Sequence, residues 1–215
     1  MYEIISQLPF NGFHVKGTIT LPVQTESLII LSHGFTSSKH VPHEAIFAKK
    51  FQEAGFGTVV LNFPEHELQW DEQNIDLLTN GLLTSTNWLH HHSEYRDLNL
   101  AYFGTGTGAA VAIKTAIQLN TDIKAIVCLS GRMDLVKKEL NQLKAPTMLI
   151  AGELDFHTLN INQKSFDRIA AEKHIAIVSG ASHLFEEPQK TDEAANIAIS
   201  WYRKHFKTRR QEMLK

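Results

Sequence analysis

The amino-acid sequence predicts an α/β fold in which helices cover both faces of a mostly parallel central sheet. Short apolar runs alternate along the chain with longer segments of helical periodicity. Most of the short runs are apolar at every position, which is typical of strands that are buried on both faces. The chain has 215 residues, of which 43% are hydrophobic and 20% are charged. We therefore expect one domain spanning residues 1–215.

Seven strands and six helices are predicted in chain order. The strands cover residues 13–21, 27–32, 57–62, 98–103, 123–129, 146–151 and 174–179. The helices cover residues 43–54, 73–91, 107–119, 135–142, 159–171 and 191–206. The first strand alternates apolar and polar residues and precedes any helix, so we expect it to be an antiparallel edge strand. The connections that follow the strands are short, which leaves no room for a large lid.

The composition limits the partners and the location that we expect. A net charge of −2 with neutral histidines gives no overall field that would favour nucleic acid or an anionic membrane. No signal-peptide pattern opens the chain, and no apolar stretch approaches the roughly 20 residues of a spanning helix. We therefore expect a cytoplasmic protein, and the sequence leaves its oligomeric state open. The single cysteine, Cys128, lies in an apolar run and is expected to be a buried small side chain.

The most informative segment is a strand-to-helix turn with the sequence Gly-Thr-Gly-Thr-Gly. In the pattern Gly-x-Ser-x-Gly, a strand ends in a tight turn that presents a serine hydroxyl and runs directly into a helix. Here Gly104 and Gly108 flank a third glycine, Gly106, at the apex. Moving the apex to Thr105 or Thr107 places unsuitable residues at the flanking positions. We therefore interpret Gly106 as the position of a nucleophile that this chain lacks.

A glycine-rich turn after a strand is also compatible with binding a phosphate group. The dinucleotide fingerprint needs its third glycine three positions after the second, whereas Gly108 follows Gly106 by two and Ala109 comes next. The Gly-Lys-Ser/Thr pattern of the phosphate loop is absent as well. An anion at the N-terminus of the following helix is the alternative function of this turn.

Three further loops carry residues typical of hydrolytic chemistry. A small-residue loop begins at Gly34, and we expect the N–H groups of Phe35 and Thr107 to form an oxyanion hole. Asp155 follows one late strand and His183 follows the last strand. The order of apex, Asp155 and His183 is that of hydrolases with a Gly-x-Ser-x-Gly turn. We expect Asp155 to orient His183 as a general base.

Other residues have weaker functional interpretations. The loops also carry His40, His43 and His66, with Glu65 and Glu67 nearby, which would be compatible with a metal site. No pair among the twelve histidines has the spacing of a zinc-binding helix such as His-Glu-x-x-His. We therefore expect no metal and no other cofactor.

Substrate contacts are predicted from residues at the same strand ends. Arg132 follows the Cys128 strand and is expected either to bind a substrate carboxylate or to pair with Asp134 or Glu139. Gly34 would lie against the substrate in the oxyanion loop. Three aromatic residues are expected either to line an apolar acyl pocket or to be ordinary packing: Phe35, Phe63 and Phe156.

The chain resembles the α/β-hydrolase superfamily, and more closely the small lid-less proteins similar to dienelactone hydrolase. The resemblance runs over nearly the whole sequence and rests on His33-Gly34 with Ser37-Ser38, Phe103-Gly104 with residues 107–110, residues 145–152 and residues 180–188. It implies hydrolysis of a small-molecule ester, thioester or lactone through a covalent acyl-enzyme, with Asp155 as orienting acid and His183 as base. Dienelactone hydrolases use a cysteine at the apex, so Gly106 departs from the family at the position where the chemistry starts.

Glycine at position 106 leaves three interpretations open. The chain is a serine hydrolase whose nucleophile was replaced, or a pseudoenzyme that uses the pocket to bind a small molecule or a protein partner. In the third interpretation, a water at the vacated hydroxyl position is activated by His183 and supports slow hydrolysis. Replacing a triad nucleophile costs on the order of a million-fold in turnover, so ordinary acyl-enzyme turnover is excluded.

Overall fold

The structure is a computed structural model that describes residues 1–32, 43–62, 74–119 and 122–206. These ranges form one eight-stranded sheet flanked by helices. The strands are β1 (Tyr2–Phe10), β2 (Phe13–Leu21), β3 (Ser27–Ser32), β4 (Gly57–Asn62), β5 (Asn99–Thr105), β6 (Ala125–Leu129), β7 (Thr147–Gly152) and β8 (Lys173–Val178). The helices in the same ranges are α1 (His43–Glu53), α2 (Ile75–His91), α3 (Thr107–Gln118), α4 (Phe156–Phe166) and α5 (Lys190–His205).

The strand order places several strand ends at one edge of the sheet. The order is β1-β2-β4-β3-β5-β6-β7-β8, with β1 and β2 antiparallel and every pair from β4 to β8 parallel. The direction of strand addition reverses between β3 and β5. In open α/β sheets, binding sites lie at the carboxyl ends of the strands near such a reversal. The turn that follows β5 is therefore at the expected location for a site.

Two hydrophobic clusters hold the helices against the sheet. One face packs against α2 and α3, with buried Leu82, Tyr102 and Val111 among its members. The other face packs against α1 and α5. There the ring of Phe51 makes edge-to-face contacts with the rings of Phe103 and Tyr202. Strands β3, β6 and β7 are buried along their whole length. The fully apolar runs of the sequence thus correspond to strands covered on both faces.

Two expectations about the sheet and helices are wrong. The predicted edge strand is β2, which is antiparallel but lies inside the sheet between β1 and β4. The strand β1 forms the edge instead, and its mostly exposed or half-exposed residues explain its weak sequence signal. The helix predicted over residues 135–142 is replaced by two short 3₁₀ helices, Met133–Val136 and Leu140–Gln142.

The other observed boundaries differ from the predicted ones by a few residues at most, except for the C-terminal end of helix α4. Helix α4 starts three residues before the predicted position because the side chain of Asp155 caps it. It also ends at Phe166, earlier than predicted.

Within the described ranges, no helix combines the length and the apolar character that crossing a bilayer requires.

Candidate active site

The turn between β5 and α3 is tight and has an unusual backbone conformation. Gly106 has φ 50° and ψ −123°, a combination that L-residues with side chains rarely adopt. A Cβ on Gly104 would lie 2.5 Å from Cα of Ala109, so only glycine allows this close approach of strand and helix. A Cβ on Gly106 would meet no described heavy atom within 4 Å. The apex is strained for other residues, but the described residues leave room for a side chain.

Hydrogen bonds from neighbouring segments fix the apex. The N–H of Gly106 donates to the carbonyl of Leu129 at the end of β6, at 3.2 Å. Its carbonyl accepts from the N–H of Ala109 at 3.2 Å and from the N–H of Arg132 at 3.0 Å. The apex is therefore attached both to its own helix and to the loop that follows β6.

Asp155 follows β7 and connects two parts of the site. Its Oδ1 accepts from the N–H of Thr158 at 3.2 Å, which caps α4, and its Oδ2 lies 2.6 Å from Nδ1 of His183. A Cβ on Gly152 would lie 2.4 Å from the carbonyl oxygen of Ala181, so glycine at this position lets β7 approach the His183 loop. The carboxylate is both a helix cap and the partner of a histidine.

The loop that carries His183 is held at several points. The buried ring of Phe185 anchors it, and the N–H of Ser182 donates to Oε1 of Glu187 at 3.1 Å. Glu153 accepts from Ser179 Oγ at 2.7 Å and from the Gly180 N–H at 2.8 Å. These contacts leave the His183 side chain 49% exposed, whereas that of Asp155 is 10% exposed. The histidine is thus exposed to solvent, while its acid partner is mostly buried.

The electrostatics keep Asp155 ionised. Burial raises the pKa of Asp155, but the hydrogen bonds from His183 and from Thr158 lower it by more, so the net pKa lies below its ordinary value. An ionised carboxylate accepts a hydrogen bond from Nδ1–H and therefore favours the histidine tautomer whose Nε2 is a free base. The pair has the arrangement that a general base requires.

One loop joins the apex to the histidine. Ser130 Oγ donates to the backbone carbonyl of His183 at 3.0 Å, and two residues later the N–H of Arg132 donates to the carbonyl of Gly106. Segments distant in sequence are therefore bonded to the same three residues. The turn at Gly106 and the Asp155–His183 pair are thus connected through residues 130–132.

The sequence profile of the dienelactone hydrolase family matches residues 65–210, which is more than half of the chain. The chain belongs to the dienelactone hydrolase family. A crystal structure of dienelactone hydrolase from Anabaena variabilis is 28% identical, has a TM-score of 0.87 and is covered over 96% of this chain and 99% of that one.

A second solved structure supports the fold alone. It is an α/β serine hydrolase without a lid from Xanthomonas campestris, with 16% identity, a TM-score of 0.78 and 97% coverage of both chains. Together with the sheet topology, these likenesses establish the α/β-hydrolase fold that the sequence predicts.

Two curated relatives from strains of Mycobacterium tuberculosis carry a different name, that of proposed phosphoribosyl transferases. Each is 32% identical over 195 residues, which is 89% of this chain and 44% of the relative. The chain thus spans less than half the length of these relatives.

Several of the predicted site residues lie outside the ranges that the structure describes. These include the predicted oxyanion loop with Gly34 and Phe35, the aromatic Phe63, and the histidines His40 and His66. The side chain of His43 lies outside them as well. Among the described side chains, no three His, Cys, Asp or Glu form a group suited to a metal ion. Thr107 is described, and it begins α3 directly after the apex.

Arg132 is engaged by a carboxylate of its own chain. Its Nε and Nη2 donate to Asp134 at 2.9 and 2.8 Å, and this guanidinium holds the pKa of Asp134 below its ordinary value. The predicted ion pair with Asp134 is confirmed, and an open anion-binding guanidinium is not what the geometry presents. Glu139 lies instead near Lys114, at 3.9 Å.

Of two other residues considered, one is largely exposed and the other is inaccessible. The side chain of Phe156 is 74% exposed at the start of α4, so within the described residues it does not line an enclosed pocket. Cys128 is fully buried in β6, and burial raises the pKa of its thiol. A protonated, inaccessible thiol is a poor nucleophile.

Sequence reasoning missed two polar residues that hold the site together. One is Ser130, described above, and the other is Asn162 on α4. Asn162 is buried and its Nδ2 donates to the carbonyls of Gly131 at 2.9 Å and Thr158 at 2.8 Å. The sequence signal for this role was an asparagine within an amphipathic helix. The sequence does not identify its partner, because the carbonyl of Gly131 lies 31 residues away.

Proposed function

We propose that this chain is a hydrolase-type scaffold of the dienelactone hydrolase family for esters, thioesters or lactones, with its acid–base pair assembled and its nucleophile position occupied by Gly106. The observation that carries the proposal is the 2.6 Å contact between His183 Nδ1 and Asp155 Oδ2. Residues 130–132 connect this pair by hydrogen bonds to a strand-to-helix turn with glycine at its apex. A carboxylate that orients an imidazole toward a tight turn is the arrangement used for acyl transfer.

The chemical roles follow from the geometry. A serine hydroxyl at position 106 would give its proton to Nε2 of His183 as it attacks the carbonyl, and Asp155 would stabilise the imidazolium that forms. The N–H of Thr107 lies in the first turn of α3, where backbone donors have no acceptor within the helix. It is therefore suited to receive the oxyanion, and Phe35 is the second donor in this proposal.

Glycine at position 106 removes the covalent step. In a serine protease, loss of the nucleophile lowers turnover on the order of a million-fold and leaves about 10³ to 10⁴ over water. We infer that this chain, as it stands, hydrolyses esters very slowly or binds them without turnover.

A second candidate activity is direct hydrolysis by an activated water. No described heavy atom lies within 4 Å of a Cβ built on Gly106, and the side chain of His183 is 49% exposed. Both observations favour this activity, because a water bound there would take the position of the hydroxyl. His183 would take one proton from the water as it attacks the carbonyl, and the leaving alcohol or thiol would receive that proton. Such activity would depend on His183 but not on any residue that forms an acyl-enzyme.

The transferase name of the mycobacterial relatives refers to proteins of which this chain spans 44%. The part that they share with this chain contains the hydrolase-type fold. We therefore assign hydrolase-type chemistry to this chain, and the transferase name carries over only as a proposal for a longer protein.

Hydrolysis of a short-chain p-nitrophenyl ester tests the proposal. The unaltered protein is compared with Gly106→Ser and with Gly106→Ala, which introduces a Cβ without a hydroxyl. We expect Gly106→Ser alone to gain turnover, by several orders of magnitude. If Gly106→Ser folds and remains as slow as Gly106→Ala, the acyl-transfer proposal is wrong and a binding role is favoured.

The same assay separates the two candidate activities. Slow hydrolysis by the unaltered protein that disappears in His183→Gln indicates an activated water. Slow hydrolysis that survives in His183→Gln excludes that mechanism.

A further inference from the structure

Ser130 has a backbone conformation that is unusual for a buried serine. Its φ is 46°, and its side chain and backbone are 3% exposed. Among the described residues, the non-glycine residues with positive φ are Asn11, Gln24, Ser130, Phe185 and Gln189. Only Ser130 and Phe185 are buried. Residues held in such a conformation persist where the surroundings over-determine them, and they cluster at functional sites.

The contacts of Ser130 connect it to two strand ends. Its N–H donates to the carbonyl of Ile150 in β7 at 2.9 Å, and its Oγ donates to the carbonyl of His183 at 3.0 Å. The strained φ turns the chain directly after β6, so that the hydroxyl reaches the loop after β8. The serine is therefore hydrogen-bonded both to β7 and to the histidine loop.

The next two residues complete the connection. The carbonyl of Gly131 accepts from the buried Nδ2 of Asn162 on α4, and the N–H of Arg132 donates to the carbonyl of Gly106 at 3.0 Å. Residues 130–132 thus contact the histidine loop, the helix capped by Asp155 and the apex of the nucleophile turn. Together these bonds link three described segments of the site, namely the histidine loop, helix α4 and the turn at Gly106.

The geometry points to Ser130 as a positioning residue that holds the backbone of His183 at a fixed distance from position 106. This inference rests on the proposed acyl-transfer function. The ring of His183 is held by Asp155 at Nδ1, while Ser130 holds its main chain, so the two contacts fix the direction and the position of Nε2 respectively. Misplacement of a catalytic group by about 1 Å lowers the rate on the order of 100-fold.

If the role of Ser130 were purely structural, its loss would have the same effect as the loss of a comparable buried serine elsewhere. A buried serine that donates to a distant carbonyl also occurs far from the site: Ser85 on α2 donates to the carbonyl of Pro9 at 2.7 Å. Ser85→Ala therefore removes the same kind of bond without touching the histidine. It serves as the matched control for Ser130→Ala.

The first measurement uses the protein with glycine at position 106 and requires no activity. The imidazole Cε1–H signal of His183 is assigned with His183→Gln and recorded by two-dimensional NMR. We expect the signal to move and broaden in Ser130→Ala and to stay in place in Ser85→Ala. Ser130→Gly relieves the positive φ and also lacks the hydroxyl, so it gives the same test in a variant whose backbone is unstrained. An unchanged His183 signal in both Ser130 variants would overturn the inference.

The second measurement uses the Gly106→Ser background. We expect Ser130→Ala to lower kcat on the order of 100-fold with little change in KM, whereas Ser85→Ala leaves kcat unaltered. Equal loss in both variants would show a general effect of stability and contradict a positioning role. If Gly106→Ser itself is inactive, the proposed function fails, and the NMR comparison still decides whether Ser130 positions His183.

Discussion

Asp155 performs two tasks, and replacing it separates them. In Asp155→Ala, the N–H of Thr158 loses its cap and His183 loses its partner. Loss of an N-cap costs about 1 kcal/mol, and loss of the hydrogen bond to a histidine that water can reach costs about 0.5–1 kcal/mol. We expect a total of about 1.5–2 kcal/mol at neutral pH. At about 2–4 °C per kcal/mol for a chain of this size, Tm falls by about 3–8 °C.

Asp155→Asn keeps the first task and impairs the second. The amide oxygen can still accept from the N–H of Thr158, since asparagine caps helices as well as aspartate does. We expect it to lose about half as much Tm as Asp155→Ala, measured by scanning calorimetry. Asp122→Ala is the control, because Asp122 is mostly exposed and its ion pair with Lys124 lies at the surface. If Asp155→Ala melts at or above the temperature of Asp155→Asn, the cap does not stabilise α4 and this reasoning is wrong.

Four further predictions concern Asp155, the turn and the buried thiol. The pKa of Asp155 is lower in the folded chain than in the unfolded chain. The ionised carboxylate therefore stabilises the fold fully above the unfolded pKa, and this stabilisation is lost as the pH falls below about 4. In acid titrations, the stability of Asp155→Asn should fall less steeply in this range than that of the unaltered protein. Gly106→Ser should lower Tm by a few degrees, since the positive φ costs about 1–3 kcal/mol and the entropic gain is smaller, and a higher Tm would count against a strained apex. Gly104→Ala should destabilise by more than Gly106→Ala in urea unfolding, because a Cβ on Gly104 would lie 2.5 Å from Cα of Ala109 whereas one on Gly106 meets no described atom within 4 Å. Cys128 should react with a thiol reagent only after unfolding, and rapid labelling of the folded protein would contradict its burial.

Most of the sheet could be predicted because burial on both faces leaves a clear mark on the sequence. Strands β3, β6 and β7 contain only buried residues and read as continuous apolar runs. The edge strand β1 carries no such mark, since most of its first six residues are exposed. Edge position, rather than lack of strand propensity, explains why it escaped prediction.

The helix predicted over residues 135–142 failed for a different reason. Met133 and Val136 are three residues apart and both are buried. Side chains at this spacing are also brought to one side by a 3₁₀ turn, so the apolar pattern does not separate the two helix types. The hydrogen bond from the Leu135 N–H to the Arg132 carbonyl ties this segment to the loop at the site.

The site could be predicted only in part. The order of Gly106, Asp155 and His183 along the chain identified the segments that the structure brings together, because order reflects the strand ends on which each residue lies. The role of Ser130 was not visible, since serine is seldom found at positive φ and its partner is 53 residues away. The mutual placement of loops depends on packing between distant elements, which a single sequence does not record.

Labelling with a fluorophosphonate probe tests the central claim most directly. The probe is applied to the unaltered protein, to Gly106→Ser and to Gly106→Ser/His183→Gln, and the modified residue is located by mass spectrometry. We predict labelling of Gly106→Ser at position 106, with much slower labelling when His183 is also replaced. If folded Gly106→Ser is not labelled at position 106, or is labelled equally fast without His183, then Gly106 does not occupy a nucleophile position served by the Asp155–His183 pair.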